Sequence, residues 1–355
     1  MKITEVLNCS FSAWYSKFKE YTVKSHVIPL PPEFIEYLLA DQIVLPEQTV
    51  AMATADPDSD DDNRSAEDDI DWTTEDSLTP VAEPPSFPEF EAILKSTIKK
   101  LGGQVFPKLN WSSPKDAVWI SFDRTLMCTC LNDVYLLLKS SDFITHDLTQ
   151  PFKHCSDDEN LKKETTVQYD LILRKWLSMN PAYEFRCFVK HNKLIGITQR
   201  HIDMYYEFIP ENKKEIVSDI QGFFYHIIKD NFPDKNYCFD VYRRHQGKLI
   251  LLDFNPFGRV TDGLLFDWDE LEGNGLLPEN DSAHHIPEIR CIDSPSGVQP
   301  NPYSAYGYPK DLKDISSGED PTKLMELLKL KVQEQNGELS SSDDDEEIDL
   351  MPSNT

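Results

Sequence analysis

The sequence predicts an α+β fold built on mainly antiparallel sheets, and three observations lead to it. Strand-like runs, "QYDLILRKW", "EFRCFVK" and "KLIGITQR", crowd into the stretch from Gln168 to Arg200. An amphipathic helical pattern, "KKEIVSDIQGFFYHIIKD", follows them. Two more strand-like runs, "YCFDVYRRH" and "KLILLDFN", then bracket Gln246-Gly247. Strands and helices segregated in this way mark the α+β class. No internal repeat is visible.

Composition sets the outer bounds. The chain has 355 residues, of which 39% are hydrophobic and 11% aromatic. That suffices for one large domain or two ordinary ones with a sizeable core. The net charge of -27 is uneven and gathers in Asp56 to Asp76 and in "SSSDDDEEIDL" near the C-terminus. Runs of this kind are solvated and resist packing. They also argue against a nucleic-acid backbone as ligand, because like charges repel. The seven cysteines are scattered apart from Cys128 and Cys130, with no paired CxxC and no HExxH. This argues against a structural zinc site and fits a reducing compartment. The start, "MKITEVLNCSFSAWY", lacks the apolar core of a signal peptide, and no run approaches a membrane span. A soluble, cytoplasmic, monomeric protein is expected.

The elements follow in order. Phe11, Trp14, Tyr15, Phe18 and Tyr21 are expected to pack on the body as core. Residues 49 to 85 read as a flexible insert, rich in Asp, Ser and Pro. A helix should run from Ser86 to Gly102, with Phe90, Leu94, Ile98 and Leu101 as its apolar stripe. "QVFPKLNWSSPKDAVWIS" reads as a short strand, a loop and a second strand, and "NDVYLLLKSS" as a helix. The polar stretch from Ser140 to Gln168 contains no glycine. The three strand-like runs after it are expected side by side and antiparallel. Ile216, Ile220, Phe223, Phe224 and Ile227 form the stripe of the next helix. A last helix should start at Asp320 with Pro321 in its first turn.

Alternation carries the chemistry. In "KLILLDFNPFG", Asp253 and Asn255 share a strand face, and Pro256 marks the strand end. A two-residue Gln246-Gly247 turn pairs His245 with Lys248 and sets Asp240 opposite Asp253. A four-residue loop keeps Asp240 on the shared face, and a three-residue loop turns it away. Two opposed carboxylates repel unless cations neutralise them. Two carboxylates and an amide oxygen are hard ligands suited to Mg²⁺, which also binds substrate phosphates. The chain has no P-loop and no GxGxxG, so side chains must supply the positive charge. Glu184, Arg186, Phe188 and Lys190 share one face of their strand, and Phe185, Cys187 and Val189 the other. Arg174 and Lys175 point to opposite faces, and Lys108 follows a short strand.

The motifs "FSAWY", "FPKLNWSSPKDAVWI", "LKSSDFIT", "LRKW", "EFRCFVK", "KLIGITQR" and "LLDFNPFGRVTDGLLF" together resemble the cell-division-cycle protein 123 family. The resemblance runs from the N-terminus to about residue 332 and misses only the acidic insert and the extreme tail. It implies an ATP-grasp-like fold, with ATP between two α+β lobes. It further implies an assembly chaperone that binds the gamma subunit of eukaryotic translation initiation factor 2, promotes assembly of the heterotrimer, and supports translation initiation and cell-cycle progression. With that fold, residues 1–48 pack on the body and 49–85 form the insert. Residues 86–168 and 169–295 form the lobes, 296–333 a strap and helix, and 334–355 a tail. The resemblance assigns Asp240, Asp253 and Asn255 to Mg²⁺. It assigns Lys108, Asn110, Ser113, Lys115, Asp116, Arg174, Lys175, Trp176, Glu184 and Arg186 to ATP. Lys115 stands where an Arg is expected in such proteins. The fold analogy also allows a ligase that forms an acyl phosphate on a carboxylate substrate. Such ligases usually close a glycine-rich loop over the phosphates, and the glycine-free stretch 140–168 offers none. The reading is therefore a chaperone, not an enzyme, with slow ATP hydrolysis at most. The Pro- and Tyr-rich strap is a candidate partner contact. Ser59 and Ser342, each ahead of acids, are candidate phosphorylation sites.

Overall fold

Two sheets carry the architecture seen in the computed structural model, which describes residues 1–40, 86–121, 123–245, 247–277 and 285–300. Helices α1 (Ile3–Asn8) and α2 (Phe11–Phe18) lead to strand β1 (Ser25–Pro29) and α3 (Pro32–Leu39). After α4 (Pro88–Lys100) come β2 (Val105–Lys108), α5 (Leu131–Lys139), α6 (Asp142–Thr149), α7 (Glu159–Glu164) and β3 (Asp170–Lys175). Next are β4 (Glu184–Lys190), β5 (Lys193–Gln199), α8 (Phe208–Glu211) and α9 (Lys213–Phe223). The hairpin β6 (Tyr237–His245) and β7 (Lys248–Pro256), then α10 (Trp268–Glu272) and β8 (Glu288–Arg290), complete the described elements. The α+β expectation holds. Among the described residues no helix is long and apolar enough to cross a membrane.

The smaller sheet has the order β1-β3-β2 and is antiparallel throughout. Pro107 fits in β2 because an edge strand has one unpaired side. Phe34 of α3 packs against Phe87, Phe90 and Tyr135, which ties α3, α4 and α5 together. The larger sheet has the order β7-β6-β4-β5-β8, antiparallel except for the β5–β8 pair. One of its faces buries Phe185, Cys187, Val189, Phe239, Val241 and Phe254. Ile216, Ile220, Phe224 and Ile228, at four-residue spacing, pack against that face. A π-helical turn at Phe224–Ile228 keeps the last two in line, while Phe223 and Ile227 are only partly buried. Phe11, Trp14 and Phe18 join the same core, as the sequence leads one to expect, whereas Tyr21 is exposed. Burying each such side chain contributes about 1.5–3 kcal/mol.

The opposite face is divided. At one end Phe188 and Cys238 lie under Phe266 and Trp268. Gly196 permits this cover, because a Cβ there would sit 2.9 Å from the Phe266 ring. The other end carries Glu184, Arg186, Asp240 and Asp253.

Two expectations need correction. Strand β3 does not lie beside β4. It pairs with β1 and β2, so the smaller sheet draws strands from both sides of residue 169. Residues Lys115–Ile120 form a 3₁₀ turn instead of a second strand. The polar stretch 140–168 contains α6 and α7, whose N-caps are the side chains of Ser141 and Asp158. The helix expected from Asp320, residues 49–85, the tail, Ser59, Ser342 and all of the strap after residue 300 lie outside the described residues.

Candidate functional site

The hairpin sets the site. His245 pairs with Lys248 and Asp240 with Asp253, the pairing expected for a two-residue turn. Two bulges intervene and cancel. Val241 pairs with Leu251, so Leu252 is the extra residue beside the acids, and Arg244 is the extra residue near the turn. The first bulge has a clear effect. Leu251 and Phe254 both enter the main core, and Asp253 between them faces the other way.

Each carboxylate has its own cation. Arg186 on β4, paired with Asp240 in the register, grips it with two bonds of 2.8 Å from Nε and Nη2. Its Nη1 donates to the Asp262 carbonyl at 2.9 Å. Arg200, just past β5, places Nε 3.9 Å from Asp240 Oδ2. Burial pushes the Asp240 carboxyl up, but Arg186 outweighs it, helped by Arg200 and Lys115, and the group is held at about 2. Asp253 receives Lys108 Nζ at 2.6 Å, from the last residue of β2 on the other sheet. Lys108 is 1% exposed. Burial draws its ammonium below the usual range, Asp253 opposes this, and Arg174 adds to it.

Arg174 also crosses between the sheets. Its Nη1 donates to the Leu252 carbonyl at 2.9 Å and its Nη2 to Thr22 Oγ1 at 3.3 Å. Its Nε is buried without a hydrogen-bond partner. Burial lowers its guanidinium from the usual value. The result is a partly buried cluster in which Lys108, Arg174, Arg186 and Arg200 face two carboxylates. A surplus of buried positive charge is unfavourable by itself and suits an anion.

Other predicted residues occupy the surrounding frame. Asn110 is buried and bridges three elements. It donates to Ser10 Oγ and the Gln168 carbonyl and accepts from the Asp170 amide. Asp116 accepts from Ser141 Oγ and the Phe143 amide at the start of α6, and burial raises its carboxyl against those bonds. Asp147 of α6 accepts from the Ser112 amide and hydroxyl, and burial lifts it to about 6. The stretch 140–168 therefore anchors the loop that follows Lys108. Ser113 and Lys115 are half-buried on that loop. Lys175 is exposed, facing away from Arg174 as alternation requires, and Trp176 is half-buried. Glu184 lies 3.3 Å from His201 Nε2 without hydrogen-bond alignment. Asn255 Nδ2 is 3.5 Å from Asp240 Oδ2.

Does this set fit Mg²⁺? Asp240, Asp253 and Asn255 share one face and offer two carboxylates and an amide oxygen. Among the described residues no three or more His, Cys, Asp or Glu side chains are placed to hold a metal. A cation here would need its remaining ligands from phosphate and water, which is how Mg²⁺ is ordinarily held beside nucleotides. In kind the residues fit, and in charge they fit together with a phosphate, because Arg186 and Lys108 already neutralise the two carboxylates.

The D123 family model matches residues 14–316 of the 355. The chain belongs to the D123 family. A Xenopus tropicalis relative named translation initiation factor eIF2 assembly protein is 47% identical, over 94% of this chain and 98% of its own. A Dictyostelium discoideum protein of the same name is 36% identical, over 90% of this chain and 94% of its own. The solved structure of C-terminally truncated Cdc123 from Schizosaccharomyces pombe is 38% identical with a TM-score of 0.65. It covers 82% of this chain and 98% of that one. The motif resemblance to the cell-division-cycle protein 123 family is borne out.

Sequence reasoning missed several residues that this D123-family chain brings to the cluster. Arg200 was findable, since alternation from Thr198 along "KLIGITQR" places it on the Arg186 face. Thr22 and Phe11 were not, because they arrive from a distant segment. Lys108 Nζ and the Arg174 guanidinium carbon lie 5.4 Å and 5.3 Å from the centroid of the Phe11 ring.

Proposed function

We propose that this chain is an assembly factor for eukaryotic translation initiation factor 2 that holds ATP with Mg²⁺ in the cluster and engages the gamma subunit. The observation that carries the first part is the near full-length similarity to proteins named eIF2 assembly protein. The surplus of buried cations beside two carboxylates and an amide supports the second. In this reading Asp240, Asp253 and Asn255 hold the metal, and Lys108, Arg174, Arg186 and Arg200 hold phosphate. Asn110 and Asp116, whose bonds go to the frame, act through the loop they fix. Lys175, Trp176, Ser113, Lys115 and Glu184 line the approach. Bound ATP·Mg²⁺ adds charge that both sheets contact, so it orders them against each other, and slow hydrolysis at most is required. The ATP-grasp-like arrangement and a cytoplasmic location belong to the same reading.

Binding of the purified full chain to each purified subunit of the factor tests the partner. Retention of the gamma subunit alone is expected. Retention of only the alpha or beta subunit contradicts it.

A further inference from the structure

Lys108 and Arg174 sit on different strands, yet both lie over one ring. Their distances to the Phe11 centroid, 5.4 Å and 5.3 Å, are within reach of cation–π attraction. Both cations are nearly fully buried, and of the two it is Lys108 that bonds Asp253. Two like charges so placed repel, and the Leu252 carbonyl and Thr22 hydroxyl that Arg174 donates to fix only that side chain, whereas the ring meets both. The ring is well fixed for that task. Phe11 is fully buried, Trp14 packs on it at 4.5 Å, and Tyr15 stacks on it at 5.0 Å. Its backbone N–H donates to the Asn110 carbonyl at 2.8 Å, two residues beyond Lys108. The Asn110 side chain returns a bond to Ser10 at 3.1 Å. The start of α2 is thereby stapled to the end of β2.

We propose that Phe11 is a positioning residue of the phosphate-binding cluster, whose ring holds Lys108 and Arg174 together before any anion arrives. This rests on the nucleotide reading above and extends it, because it makes the N-terminal helix part of the site. Without the ring's negative face the cations separate, and an anion must gather them as it binds, which costs affinity.

The test uses the full chain with phenylalanine at position 11 replaced by its mono-, di- and tetrafluoro analogues. These keep the shape and progressively remove the quadrupole. ATP·Mg²⁺ affinity should fall stepwise, on the order of tenfold across the series, with the melting temperature nearly constant. Phe11→Tyr should retain wild-type affinity. The Arg174 Nε–H resonance, read without nucleotide, should be shifted by the ring current and lose that shift in Phe11→Leu. Should Phe11→Leu fail to fold, the fluorinated series still decides. A wild type that binds ATP·Mg²⁺ with a flat series overturns the inference. A wild type that binds none refutes the nucleotide reading. The Arg174 resonance then judges the positioning claim alone, and an unshifted resonance sinks it.

Discussion

Asp240 and Asp253 stand directly opposite each other on one sheet face, yet they are held from different places. The partners of Asp240, Arg186 and Arg200, come from the same sheet, and strand register alone brings them together. The partner of Asp253 is Lys108, from the edge of the other sheet. One carboxylate is therefore a property of a single sheet, while the other exists only where two sheets meet. The Asp240 pair should behave as a local unit, and the Asp253 pair should report how well the sheets are docked.

The sharpest way to break this contrast is Asp253→Ala. It leaves Lys108 buried with no carboxylate, and breaking such a pair should cost about 3 kcal/mol of stability in urea unfolding. Adding Lys108→Met removes the stranded charge and should recover most of the loss. A double variant as unstable as the single one would mean that Asp253 matters for some reason other than its pairing.

A smaller effect is expected at Asp240 and is read in acid. Its carboxyl is held at about 2 against an ordinary 3.8. A depressed carboxyl adds stability that is present above the unfolded value and is lost as pH falls through the folded one. The contribution is about 2 kcal/mol, fully present above roughly pH 5. Stability curves of wild type and Asp240→Asn should converge as pH drops from about 4 towards 2. A constant separation over that window speaks against the Arg186 pairing as the cause.

The same contrast explains what the sequence made legible. Alternation within a strand, and counting back from a tight turn, depend on local rules. They place Asp240, Asp253, Asn255 and Arg186 on one face. The count succeeds through two bulges that offset each other, one at Leu252 and one at Arg244. Neither leaves a pattern in the residues, since "LILLDF" is apolar on both faces up to Asp253. What was not legible is non-local. β3 belongs with β1 and β2 because of pairings between residues far apart in sequence, from Val105 with Lys175 to Ser25 with Arg174, and neighbouring runs in sequence gave no hint of this. The run "DAVWI" is too short for its period to separate a strand from a 3₁₀ turn. Helices α6 and α7 are polar and lacked a clear stripe, although Ser141 and Asp158 were readable as caps. Thr22 and Phe11 reach the cluster only through tertiary packing.

The proposed role of this cluster is to hold ATP through a metal. Calorimetric titration of ATP into the full chain, with and without Mg²⁺, tests it most directly when repeated on Asp253→Asn, which keeps an acceptor for Lys108. Mg²⁺ should tighten ATP binding to the wild type, and Asp253→Asn should lose this increment while still binding ATP weakly. Equal affinity with and without Mg²⁺ in the wild type, or an unchanged increment in the variant, would contradict it.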